Sequence, residues 1–332
     1  MLTRRRLAAA LAGAGVFAPR AAFAQAQAEP PGDPRLANHP RMAEALAHLR
    51  ARRWRALAQI VRAQTPDGAC VLLGNLGDQS EVDLDLVGLE RQPMGRTIKG
   101  ALLVDWGWRY RGSGMSSTVT DEMFNAFEAR LTRARTELEA AVAQDGDDGV
   151  AFTFLIRLLK GLSQVPAMSA AWEAFQGAAR KPIRAYSGYA DALAAKWFGS
   201  HDFMVAFARL NQEALLPASR ALVVQAYHEI IFSLMRGGDA QAGFAFAMQP
   251  SVFDEVAAAN EAFHAGPVTD DFYQRAFAHA QFSFFFSLVG MNDLARPHMV
   301  ALGQWIGGPW TLFPDPPGLF ERYRQTLGLS AT

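Results

Sequence analysis

Cysteine is almost missing: Cys70 is the only one in 332 residues. One thiol cannot close an internal disulfide, and it excludes zinc sites built from several cysteines. Within GACVLLG it reads as a small buried apolar residue. Long apolar runs are missing as well. The best one beyond the N-terminus, FSFFFSLVGM from Phe282 to Met291, is about half the length a bilayer crossing requires. His-Glu-x-x-His is absent, since His228-Glu229 runs on into Ile230, Ile231 and Phe232. There is no Gly-x-Ser-x-Gly, and Gly112-Ser113-Gly114 has no strand before it, which argues against a hydrolase nucleophile elbow. No phosphate-cradling loop of the P-loop or dinucleotide type occurs. Neither a cofactor nor a metal is therefore expected.

An excess of charge is also lacking, with 32 basic and 32 acidic residues. The balance hides an asymmetry. Residues 1–24 (MLTRRRLAAALAGAGVFAPRAAFA) hold four arginines and no acid, so the rest carries 28 basic against 32 acidic residues, a net −4. That gives no support for binding nucleic acid or an anionic membrane. The same residues have a basic start, a short apolar stretch and a small-x-small end at Ala22-Phe23-Ala24, the pattern of a secretory signal peptide. Arg4 and Arg5 resemble the twin-arginine signal. Export to the periplasm, without a transmembrane segment in the mature chain, is the expectation. Residues 25–40 (QAQAEPPGDPRLANHP) read as a flexible Pro-rich leader.

From residue 41 to 330 helical periodicity dominates, and no composition break marks a second domain. Arg41 to Arg62 reads as helix, stopped by Thr65-Pro66-Asp67-Gly68. Ser80 is expected to cap a helix bearing Leu84, Leu86, Val87 and Leu89. Val71 to Leu73 could form a short strand without partners. Lys99 to Tyr110 is helical. Thr118-Val119-Thr120-Asp121 opens a helix whose Phe124, Phe127, Leu131, Ala134, Leu138 and Val142 make one face. Val150 to Leu162 is apolar nearly all round and should be buried on several sides. Tyr186, Tyr189, Leu193 and Trp197 form a stripe, broken at Gly199. Ser200 then caps a helix whose core stripe is Phe203, Phe207 and Leu210. Further helices follow to Leu327, about ten in all. The expected fold is one all-α domain of antiparallel helix pairs, in a repeat-like array or compact superhelix.

Chemistry-bearing residues are few. Trp106-Gly107-Trp108-Arg109-Tyr110-Arg111 packs rings and cations closely, which suits a peptide- or carbohydrate-binding face with Arg109 and Arg111 stacked on Trp108. The plainer alternative has the tryptophans in the core and the arginines capping a helix C-terminus. His228-Glu229 sits in an otherwise apolar helix, where a polar pair needs partners. Antiparallel helices could bring His228, His264 and His279 together. His201 has no assigned structural duty and is expected to face water.

Trp108-Arg109-Tyr110-Arg111-Gly112, Lys196-Trp197-Phe198-Gly199-Ser200, Phe207-Ala208-Arg209 and Tyr227-His228-Glu229 together resemble a bacterial family of unknown function. That family has a Trp-x-x-Arg-Gly segment and a Lys-Trp-Gly-Gly-Ser segment, and it is similar to tetratricopeptide-like helical proteins. Here Phe198 stands where the family has a glycine. The resemblance spans about residues 95 to 235 and implies a helical fold without a known activity. The leading expectation is an exported helical-repeat protein that binds a protein or peptide partner and is not an enzyme. The alternative is an envelope enzyme or small-ligand receptor with a site around Trp197, His201, Arg109 and His228-Glu229.

Overall fold

Twenty-two residues near the start of the described chain show how little local pattern decides a boundary. Arg41 to Arg62 is not one helix. It is α1 (Met42–Arg50) and α2 (Trp54–Arg62), separated at Arg52, whose φ of 54° is incompatible with a continuing helix. The Arg52 side chain pairs with Asp85 at 2.9 Å on the surface beside the break. The structure is a computed structural model and describes residues 39–112, 118–215 and 217–329. Arg4, Arg5, Ala22 and Ala24 lie outside the described residues, as do the first part of the Pro-rich leader and Ser113-Gly114.

Fifteen α-helices account for most of the described residues, and the chain is all-α. Val71 to Leu73 is helical, and the one β-type feature recorded is an isolated bridge between Asp148 and Arg180. The chain divides into two compact units. Of the described residues, one unit holds 39–199 with 271–274, and the other holds 200–270 with 275–329.

The N-terminal unit continues with α3 (Pro66–Gln79), α4 (Gly95–Arg111), α5 (Asp121–Gln144), α6 (Gly149–Gly161), α7 (Val165–Gln176) and α8 (Ile183–Ala192). Thr65-Pro66-Asp67-Gly68 is a helix start as well as a stop. Thr65 Oγ1 accepts from the Gly68 amide at 3.2 Å, and Pro66 takes the first helical position where its missing N–H costs nothing. Ser80, expected to open a helix, instead closes α3. Residues 81–88 are irregular, with turns at 82–83 and 87–88, and Leu89–Arg91 makes a 3-10 turn. In α5, Phe127, Leu131, Ala134 and Leu138 are buried as the spacing predicts, but Ala141 is buried in place of Val142, which is half-buried, and Phe124 stays half exposed near the helix start. Thr120 is the actual cap, accepting from the Met123 amide.

Helix α4 is the centre of this unit and packs on α3, α5 and α6. Gly100 is why α4 and α5 lie so close, because a Cβ there would come within 2.5 Å of Leu138 Cγ. Helix α8 ends at Ala192, earlier than the aromatic stripe implies. Tyr186 and Tyr189 are buried in it, but Leu193 is its C-cap and Trp197 lies in the following turn. The chain there folds back on itself so tightly that a Cβ at Gly199 would meet the Leu193 carbonyl oxygen at 2.1 Å. Only glycine fits.

The C-terminal unit holds α9 (His201–Leu210), α10 (Leu222–Arg236), α11 (Ala240–Ala247), α12 (Pro250–Ala265), α13 (Phe272–Leu288) after its first turn, α14 (Asn292–Leu302) and α15 (Pro316–Thr326). Its core is aromatic. Phe282, Phe285 and Phe286 of α13 are fully buried, as is Trp310, whose indole donates to Ser283 Oγ at 3.0 Å. FSFFFSLVGM is therefore core, and no helix among the described residues is long and apolar enough to cross a membrane.

Candidate functional site

The last two turns of α4 separate the residues of the Trp-rich segment by helical phase. Trp106 and Trp108 are two positions apart, about 200° around the helix, so they leave on different sides. Trp106 is fully buried and its indole donates to Ser80 Oγ at 2.9 Å. Arg109 donates to the carbonyls of Gly77 and Ser80 at 2.9 and 2.8 Å. It thereby caps the C-terminal end of α3, the plainer of the two roles open to it.

Trp108 and Trp197 do come together. Their ring centroids are 6.0 Å apart and nearly perpendicular, and Trp108 also meets Phe127 edge-on at 4.9 Å. Four cations gather around the pair. Lys160 Nζ is 4.7 Å from the Trp197 centroid and 5.6 Å from that of Trp108. The Arg111 and Arg157 guanidiniums lie 5.5 and 5.9 Å from the Trp108 ring, and Lys196 joins Lys160 on Asp191. Both indole nitrogens, Trp108 Nε1 and Trp197 Nε1, are buried and have no hydrogen-bond partner among the described residues.

The charges here are strongly perturbed. Burial pushes the Lys160 ammonium down, with Asp191 opposing it. Burial would raise Asp191, but Lys160 and Lys196 together hold it at about 2. Asp105, one turn before Arg109, is almost wholly buried and is pushed up to about 7 by burial despite its ion pair with Arg157. Its Oδ2 has no partner. Sequence reasoning did not single out Asp105, Arg157, Lys160 or Asp191. A signal existed: Arg157 and Lys160 are three apart in a helix otherwise apolar, so they share a face and need anions.

In the C-terminal unit, the polar pair in the apolar helix finds its partners. His228 Nδ1 lies 2.7 Å from Gln281 Oε1, so this nitrogen carries the proton, and Nε2 is buried without a partner among Phe232, Phe284 and Phe285. Burial lowers its pKa to about 4. Glu229 accepts from Arg236 at 2.9 Å. Arg209 grips Glu255 with two nitrogens at 2.8 and 2.7 Å, and Tyr227 donates to the same carboxylate, which ties α9, α10 and α12 together. His201 is half-buried at the first position of α9.

His228 bonds Gln281 and packs among phenylalanines, and the histidine in ring contact with His264 and His279 is His298. Its Nε2 donates to Asn260 Oδ1 at 2.8 Å, and its Nδ1 accepts from His279 Nδ1 at 2.9 Å. The His264 ring lies 5.1 Å from that of His298. Burial first, and then neighbouring charged groups, His264 foremost for His279 and His279 for His298, depress His279 to about 4 and hold His298 well below its usual range. No group of three or more His, Cys, Asp or Glu among the described residues is arranged to hold a metal ion.

Helix α9 is turned differently from the expected stripe. Ser200 caps it, accepting from the Phe203 amide at 3.1 Å. Met204, Val205 and Ala208 are the buried set, packed toward α10. Phe203 is 64% exposed and Leu210 85% exposed, with Phe207 half-buried between them. The helix is apolar on two faces and buries one.

A cleft of about 350 Å³ at the start of α4 is lined by Arg62, Arg96 and Arg180, among others, but Arg96 and Arg180 are already paired with Glu137 and Asp145. The chain matches no known protein family, no curated protein and no solved structure.

Proposed function

We propose that this is an exported binding protein, whose contact surface for a protein or peptide partner is the outer face of α9. One observation carries the reading. Phe203 and Leu210 project into solvent from a helix whose opposite face is already packed. Single exposed apolar side chains are ordinary, but a second apolar stripe on one helix is what partner grooves and helix-in-groove contacts use. Export rests on Arg4-Arg5 and the Ala22-Phe23-Ala24 end, which support the twin-arginine route to the periplasm. Short connections between successive helices support a tetratricopeptide-like array of antiparallel pairs, in line with the resemblance of the Trp-x-x-Arg-Gly and Lys-Trp-x-Gly-Ser segments to such proteins.

The test is a photo-crosslinking side chain placed at position 203 or 210, with position 173, exposed in the N-terminal unit, as the control. A discrete adduct from 203 and 210 and none from 173 is expected in envelope fractions. Absence of any adduct, or the same adduct from 173, refutes the reading.

A second reading, a small-ligand receptor or envelope enzyme, draws its support from the two unpaired indole N–H groups beside Lys160. Trp197 belongs to that set. His201 and His228, also candidates for it, belong to the C-terminal unit.

A further inference from the structure

We infer that the Trp108–Trp197 corner of the N-terminal unit is a binding site for a small oxyanion, the carboxylate or phosphate group of a ligand. The inference rests on the receptor reading and is independent of any role of α9.

Two buried donors, Trp108 Nε1 and Trp197 Nε1, have no acceptor among the described residues, and they belong to rings in edge-to-face contact with centroids 6.0 Å apart. An indole nitrogen can only donate, so what satisfies it must be an acceptor. Unmade hydrogen bonds at buried donors are costly and rare, and each one calls for an unseen partner. Water is one such partner, but the local charge favours an anion. Arg111, Arg157, Lys160 and Lys196 lie around the rings, against the carboxylates of Asp105 and Asp191, with Asp78 near Asp105. Lys160 is buried deeply enough that its charge is disfavoured even with Asp191 beside it, and a second anion would relieve that. Arg111 is half-buried and the Lys196 side chain is 39% exposed, so the corner is bordered by two partly solvated cations. Charge-assisted bonds from such groups to an oxyanion are short and strong.

The chain has 7 tryptophans, so a sample labelled with 15N at tryptophan gives seven indole N–H signals. Trp108→Phe and Trp197→Phe identify the two that matter. Inorganic phosphate and acetate, added separately at constant ionic strength, are the probes. Saturable movement of these two signals, with the other five unmoved, is expected from at least one probe, and the better probe tells phosphate from carboxylate. Lys160→Gln should abolish the response. Arg111→Gln, on the border of the site and harmless to the core, should weaken binding about tenfold, the effect of one charge-assisted bond. No saturable movement with either probe overturns the inference and leaves water as the acceptor. Equal movement of all seven signals, or unchanged binding in Arg111→Gln and Lys160→Gln, overturns it too.

Discussion

Helix α8 borrows its N-terminal cap from a residue 116 positions earlier, and removing that cap has a calculable cost. Asp67 accepts from the amides of Ile183 at 2.9 Å and Arg184 at 3.2 Å, while Pro182, the residue in the cap position, supplies no side-chain bond. Asp67→Ala leaves the fully buried Ile183 N–H without an acceptor and deprives Arg184 of its own. A lost cap costs about 1 kcal/mol, and a buried unpaired donor about 1–3 kcal/mol, so a loss of about 2–4 kcal/mol is expected. The loss should depend on pH. Burial raises the Asp67 carboxyl from 3.8 to about 7, against the pull of the two amides. Between those values the folded chain holds a proton that the unfolded chain has released, so folded stability falls as pH rises, by at most about 1.4 kcal/mol per pH unit. The alanine variant lacks this dependence. Its penalty should therefore be largest below about pH 4, be smaller at pH 5 and shrink further toward pH 8. Hydrogen exchange of the segment 183–192, followed by mass spectrometry at these pH values, reads the effect locally. A penalty below about 0.5 kcal/mol, within the range of an ordinary surface substitution, would refute the capping role. A penalty that grows with pH would show that the amides outweigh burial.

The two units should respond to acid in opposite directions. In the C-terminal unit His228 and His279 titrate near 4 instead of 6.5, so stability is full above 6.5 and is lost as pH falls toward 4; in the N-terminal unit Asp67 and Asp105 give the reverse slope, and exchange rates of peptides from each unit across pH 4–8 would reveal it. His228→Gln should flatten part of the C-terminal slope in the same measurement. Met204→Ala should cost about 2–5 kcal/mol in urea unfolding, whereas Phe203→Ser and Leu210→Ser should cost under about 0.5 kcal/mol; the opposite order would mean that α9 is turned the other way. Gly100→Ala should destabilise by about 1–3 kcal/mol through contact with Leu138, less up to about 1 kcal/mol of gained helix propensity, and a more stable variant would show that α4 and α5 can separate without loss.

Local chemistry was legible wherever one face of a helix was apolar and the other was not. The 127–131–134–138 stripe of α5 and the Ser200 cap of α9 follow from spacing and from a hydroxyl before a first turn. So does the all-α class, since no alternating segment competes with the 3.6-residue period. Where a helix is apolar on two sides, periodicity offers two answers. Helix α9 could bury Phe203, Phe207 and Leu210 or Met204, Val205 and Ala208, and only the fit against α10 chose the second set. Boundaries were lost for a related reason. Arg52 breaks a pattern that reads as continuous by taking a positive φ, which no local signal in the sequence marks. Candidate chemistry divides along the same line. His228-Glu229 could be recognised as a pair in need of partners, but Gln281 and Arg236 were supplied by packing. Trp108 and Trp197 could each be noticed, but their meeting over Lys160, the orphaned Asp105 oxygen and the capping of α8 by Asp67 depend on contacts between residues 32 to 117 apart. Short-range sterics, caps and periodicity are written along the chain. Which polar groups lose water together, and so which charges and hydrogen bonds are left unbalanced, is decided only when the helices pack.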